Sequence, residues 1–134
     1  MREIDWGLIE GMLQKIQKAL TTIEKRFRQV PDADYFQTEV GEERLDGICM
    51  LLEAVGESFS QIDKLSNKTF LSRYPEISWK RIIGLRHIIA HHYFDIDAEA
   101  VFNNCRDHLP PLLETVQRMI KDLKPNHDPE GSQP

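Results

Sequence analysis

The chain has 134 residues, 40% of them hydrophobic and 29% charged, with a formal net charge of −5. That length holds one hydrophobic core rather than two domains, and the balance is that of an ordinary globular protein. No apolar run is long enough to span a bilayer, the charged start Met1-Arg2-Glu3-Ile4-Asp5 reads against a signal peptide, and net acidity argues against general steering towards nucleic acid. A cytoplasmic protein without a membrane partner is expected.

In chain order, Ile4, Leu8, Met12, Ile16, Ala19, Ile23 and Phe27 recur at steps of three and four, the apolar stripe of a long amphipathic helix. Pro31 ends it, because proline has no N–H to donate and disfavours helix in the residue before it. Residues 31–38 read as a loop. Leu45, Ile48, Leu52, Val55, Phe59 and Ile62 mark a second long helix, whose period suits near-antiparallel packing on the first. After Tyr74-Pro75, Ser78 is placed to cap a third helix carrying Trp79, Ile82, Leu85 and Ile89. Asp97 caps a short helix through residue 106. Pro110 and Pro111 suit the first turn of a last helix with Leu112, Val116, Met119 and Leu123 inward. Strand alternation is absent. The expectation is an all-α, up-down bundle of four or five helices over residues 1–124. A polar tail rich in Pro and Gly, 125–134, is expected to be disordered. Cys49 and Cys105 read as free core thiols.

The densest chemistry lies in Arg86-His87-Ile88-Ile89-Ala90-His91-His92-Tyr93. Arginine pairs bidentately with phosphate oxygens and stays charged, and histidine gives or takes a proton near neutral pH. The segment also sits where the local charge reverses. Glu39, Glu42, Glu43, Asp46, Glu53, Glu57 and Asp63 make the second helix acidic, whereas Arg73, Lys80, Arg81 and Arg86 make the approach to the motif basic. Phosphoryl transfer without a metal requires a base for the attacking hydroxyl, an acid for the leaving oxygen and a cation for the phosphoryl oxygens. Arg86 suits the third role and His91 the first or second. The remaining proton role falls either to His87, one helical turn before His91, or to a second copy of the motif brought in by a homodimer. On an ideal helix Arg86 and His91 stand about 140° apart, while Tyr93 shares a face with Arg86 if the helix persists. Glu53 or Glu57 is placed to orient the guanidinium. A rival metal reading would use His87 and His91 with His108, Cys105, Glu53 or Glu57, but the metal-free reading is preferred. No cofactor is expected.

The order Arg86, four residues, His91, one residue, Tyr93 resembles the motif of HEPN-domain ribonucleases, and in particular the HepT toxins of MntA–HepT toxin–antitoxin systems. Many relatives carry Asn where this chain has His87. The resemblance extends through Pro75…Trp79 before the motif, Tyr93-Phe94-Asp95-Ile96-Asp97 after it, Leu109-Pro110-Pro111-Leu112 and Glu53-Ala54-Val55-Gly56-Glu57. It implies a HEPN-like bundle, a metal-independent endoribonuclease with an RNA substrate, a homodimer and a type VII-like toxin role. It also implies an MntA-like nucleotidyltransferase antitoxin that attaches AMP to Tyr93. A non-catalytic helical partner of a nucleotidyltransferase, contributing to a nucleotide-binding surface, is the alternative.

Overall fold

A computed structural model describes residues 3–91 and 93–127; the side chains of Ala90, His91, Tyr93 and 125–127 fall outside that description. The described residues form helices and turns and no strand, an all-α up-down bundle: α1 Trp6–Phe27, α2 Glu39–Leu65, α3 Trp79–His91, α4 Ala98–Asn103 and α5 Leu109–His127. Helix α1 packs against both α2 and α5, and α3 lies mainly on the far side of α2. The motif helix is therefore an outer helix, with one face on α2 and much of the rest open. No described helix is long and apolar enough to cross a membrane.

Local side-chain chemistry starts α1, α2 and α4. Asp5 Oδ1 accepts from Leu8 N at 3.0 Å, Thr38 Oγ1 from Gly41 N at 3.0 Å, and Asp97 Oδ1 from Glu99 N at 3.0 Å and Ala100 N at 3.2 Å. These bonds satisfy N–H groups that have no partner inside the helix. Glu39 and Glu42 in the first turn of α2, and Lys25 and Arg26 in the last turn of α1, oppose the helix dipole favourably. The Ser78 carbonyl accepts from Ile82 N at 3.1 Å, so α3 begins where expected, and the Trp79 indole donates to Tyr74 O at 3.0 Å. Trp79 also packs its ring on Phe59 of α2, centroids 4.9 Å apart.

Two expectations are corrected. The face of α1 that enters the core is centred on Ile9, Leu13, Ile16, Leu20 and Ile23; of the expected stripe Ile16 and Ile23 are buried, Ile4, Met12, Ala19 and Phe27 pack half-buried at the core's edge, and Leu8 is 48% exposed. Two apolar stripes one residue apart share Ile16 and Ile23, and packing against both α2 and α5 selects the second. Residues 31–38 are not an open loop: they contain a 3-10 turn, Ala33–Gln37, capped by Asp32. Its Phe36 is 1% exposed and closes the end of the core. The expected inward residues of α5, Leu112, Val116, Met119 and Leu123, are all buried. Helix α4 passes through a π turn, Asn104–His108, directly into α5. The expected tail falls partly on the last turn of α5, and 128–134 lie outside the described residues.

Cys49 and Cys105 are free and buried, as expected. Burial, with Asp46 and Glu53 nearby, pushes the Cys49 thiol up to about 11; burial, with a smaller contribution from Cys49, pushes Cys105 up to about 12. Tyr74 is likewise held well above its ordinary value by burial and by donating to Asp122 Oδ2 at 2.7 Å. In the unfolded chain the thiols ionise near ~8.5 and the phenol near ~10. The folded chain keeps those protons, so the unfolded state binds fewer and stability falls as pH rises from about 9 towards 11. Each thiol contributes a loss on the order of 1.4 kcal/mol per pH unit in that window. The urea midpoint should therefore drop steeply above about pH 9, and replacing both thiols by Ala should flatten the drop. A midpoint constant through that window would contradict this account.

Candidate functional site

Arg86 lies on α3 opposite the acidic helix α2. Its Nε stands 2.9 Å from Glu57 Oε1, and the two side chains are 48% and 44% exposed. A pair that wet adds only ~0–1 kcal/mol to stability. Its larger effect is orientation, because the carboxylate holds a long side chain in one direction while leaving it accessible to an anion. Glu57 is itself held: Gln61 Nε2 donates to its other oxygen at 3.1 Å. Of the two carboxylates expected to support Arg86, Glu57 makes the contact. Glu53, one turn earlier, lies near the Cys49 thiol.

The approach of α3 to α2 is set by Gly56. A Cβ there would stand 2.9 Å from Ile82 O, 3.2 Å from Arg86 N and 3.4 Å from Arg86 Cβ. A side chain would push the two backbones apart at the turn that carries Arg86. The sequence reading missed the role of Gly56 and of Gln61. The i, i+4 spacing of Glu57 and Gln61 was a usable signal for the latter.

His87 is on α3, exposed, and His91 is the last residue of the same helix. The backbone thus keeps them one turn apart. The His91 side chain lies outside the described residues. Tyr93 does not continue the helix, because α3 ends at His91 and Tyr93 opens a 3-10 turn, Tyr93–Asp95. The shared face expected for Arg86 and Tyr93 on a persistent helix is therefore corrected, and the Tyr93 side chain too lies outside the described residues.

The candidate ligands of the rival metal reading are dispersed. Cys105 is in the core, and His108 Nε2 meets Arg81 Nη1 at 2.5 Å. Among the described residues no three His, Cys, Asp or Glu side chains group to hold a metal ion. The basic approach to α3 is partly tied to the bundle. Arg73 stacks over Trp6 at 5.2 Å from the ring centroid, and Arg118 of α5 pairs with Glu76 in the turn before Trp79. These contacts, with Tyr74–Asp122, anchor the entry to α3 on α1 and α5, so the motif helix is fixed at its start as well as along α2.

Comparison with known proteins places the chain in a family. A model of the family described as ribonuclease HepT-like matches residues 16–119. A Methanocaldococcus jannaschii protein named "Putative RNase MJ0127" is 29% identical over 73 residues, covering 54% of this chain and 57% of that protein. "Putative RNase MJ1380" of the same organism is 32% identical over 66 residues, 49% of this chain and 57% of that protein. "Probable ribonuclease HepT" of Thermococcus cleftensis is 23% identical over 109 residues, 81% of this chain and 93% of that protein. The chain thus spans less than two-thirds of the length of the M. jannaschii relatives. No solved structure gives a significant match. With a helical bundle, an Arg86 presented from an outer helix and a family match across most of its length, the chain belongs to the ribonuclease HepT-like family.

Proposed function

We propose that this protein is a metal-independent endoribonuclease acting as the toxin of a toxin–antitoxin pair. The observation that carries the reading is Arg86, half-exposed and oriented by Glu57, on the helix that also carries His87 and ends at His91. In this reaction a histidine takes the proton of the RNA 2′-OH, the 2′ oxygen attacks the adjacent phosphorus, and the bond to the 5′ oxygen breaks. A second proton donor protonates that leaving oxygen, giving a 2′,3′-cyclic phosphate and a free 5′-OH. Arg86 stabilises the charge that builds on the phosphoryl oxygens. A homodimer supplies duplicated acid and base groups, and light scattering should give about twice the 15.6 kDa of one chain. Purified protein should cleave RNA in EDTA and leave cyclic-phosphate ends. Cleavage lost in EDTA and restored by zinc would overturn the metal-free mechanism. Absence of cleavage, with tight binding to a nucleotidyltransferase, would favour the non-catalytic alternative.

Regulation through Tyr93 follows from the same reading. A phenol close in sequence to Arg86 and His91 is a target for a nucleotidyltransferase antitoxin, and the added AMP phosphate would pair with the arginine and mimic the RNA backbone. Co-expression with such an enzyme should add the mass of one or more adenylyl groups to the chain. Tyr93→Phe should abolish the addition. An unmodified mass alongside full neutralisation would sink this route while leaving the ribonuclease reading intact.

A further inference from the structure

Helix α3 carries Lys80, Arg81, Arg86, His87 and His91 and no carboxylate, whereas every other helix of the bundle carries Asp or Glu. In a chain of net charge −5, a cationic face on one helix is the electrostatic footprint of a polyanion. Glu57 of α2 takes up Arg86. Lys80 and Arg81 are exposed, and among the described residues no carboxylate pairs with either. Arg81 is held all the same. Its Nη1 donates to His108 Nε2 at 2.5 Å, from α3 to the end of the π turn Asn104–His108. Guanidinium nitrogens only donate, so this imidazole nitrogen is the acceptor and carries no proton. An uncharged acceptor orients the guanidinium without offsetting its charge. Asp107, next to His108, is engaged by Arg106 through two bonds of 2.8 and 2.9 Å. Between the two arginines, Lys80, Gly84 and His87 share the outer face of α3. A Cβ at Gly84 would meet nothing within 4 Å, so packing does not require a glycine there, and its missing side chain leaves the face low between Lys80 and His87.

We propose that Arg81, positioned by His108, binds a second phosphate of the RNA, a few nucleotides from the one at Arg86, with the strand laid over the outer face of α3. The inference rests on the ribonuclease reading for the identity of the polyanion. The bond to His108 uses one of several N–H donors of the guanidinium and leaves the rest of its planar fork for phosphate oxygens. Arg81 and Arg86 stand about 140° apart on a helix ~10–12 Å wide, so one phosphate does not reach both, whereas two phosphates of one strand do. A contact this far from the breaking bond acts alike on bound substrate and transition state. It fixes the register of the strand and lowers KM, and it leaves kcat unchanged. Arg86 does the opposite, because charge develops at its own phosphate.

The test compares wild type with Arg81→Gln, Arg81→Lys and Arg28→Gln, the last removing an exposed charge of the α1 end that pairs with Glu24. A fluorescent 2′-O-methyl octamer, whose blocked 2′ oxygens prevent cleavage, is bound at salt between ~50 and ~200 mM. Arg81→Gln should weaken binding about tenfold, the order of one charged hydrogen bond, and flatten the slope of log affinity against log salt by ~0.7, one phosphate contact on a single strand. Arg81→Lys should restore the slope, and Arg28→Gln should match wild type. With a cleavable octamer, Arg81→Gln should raise KM about tenfold and hold kcat within about twofold. A dinucleotide, whose one phosphate sits at Arg86, should be cut equally by both proteins. Wild-type affinity and slope in Arg81→Gln, the same loss in Arg28→Gln, or an equal loss on the dinucleotide overturns the proposal. Wild type that leaves the octamer unbound overturns it too, and an acidic peptide captured through Arg81 in its place would assign the face to protein. If the binding results hold in a protein that cuts no RNA, the subsite stands and the ribonuclease reading falls instead.

Discussion

Arg86→Ala should lower RNA cleavage by roughly 10²–10³-fold, the loss typical of removing one group that stabilises transition-state charge. The bundle should stay folded, because the Arg86–Glu57 pair is half-exposed and contributes little to stability. Glu57→Gln tests the positioning role separately. It keeps the shape and an acceptor but removes the charge, so it should cost about tenfold, well below the loss from removing Arg86 itself. His91→Ala should lose on the order of 10²–10⁴-fold as a general acid or base. His87→Ala then separates the two proton schemes. A loss comparable to His91→Ala places the second proton on the same helix, and near-wild-type cleavage assigns it to the partner copy of the motif. Arg86→Ala and His91→Ala proteins that cleave RNA as fast as wild type would remove the catalytic assignment altogether.

How much of this was legible depends on what kind of physics wrote it. The start of α4 was readable at Asp97 because capping is local chemistry, decided within three residues, and α3 starts at Trp79, directly after Ser78. The buried face of α2 was readable because Ile48, Leu52, Val55, Phe59 and Ile62 form a single stripe. The face of α1 was ambiguous, since Leu8 and Ile9 each begin a valid stripe and only the partner helices choose between them. Phe36 sits in a segment too short to show any period, so its burial was invisible. The π turn at Asn104–His108 left no trace either, because one extra residue in a turn shifts the hydrophobic phase without breaking it. In the site, the pairing of Arg86 with an acidic residue on α2 followed from charge pattern. The glycine that brings those helices together did not, since a glycine inside a helix reads from sequence only as a cost.

That glycine gives the second large effect. Among the described mid-helix glycines, Gly11 has nothing within 4 Å of an added Cβ, whereas Gly56 would place it 2.9 Å from a backbone carbonyl of α3. Gly11→Ala should therefore stabilise by about 0.5–1 kcal/mol, the ordinary gain of alanine over glycine in a helix. Gly56→Ala starts with the same gain and loses it to overpacking of ~1–3 kcal/mol, so it should be neutral to destabilising, and Gly56→Leu clearly destabilising. The obstacle at Gly56 is backbone, which cannot rotate away as a side chain would, so α3 must shift as a body. Arg86 travels with it and leaves the reach of Glu57. A displacement near ~1 Å at a reacting group can cost on the order of 10²-fold in rate. Cleavage by Gly56→Ala, measured well below its melting temperature, should thus fall far more than its folded fraction does, while Gly11→Ala keeps wild-type cleavage with a raised melting temperature. If Gly56→Ala instead raises the melting temperature as Gly11→Ala does and cleaves normally, the close approach of α2 and α3 is not what positions Arg86.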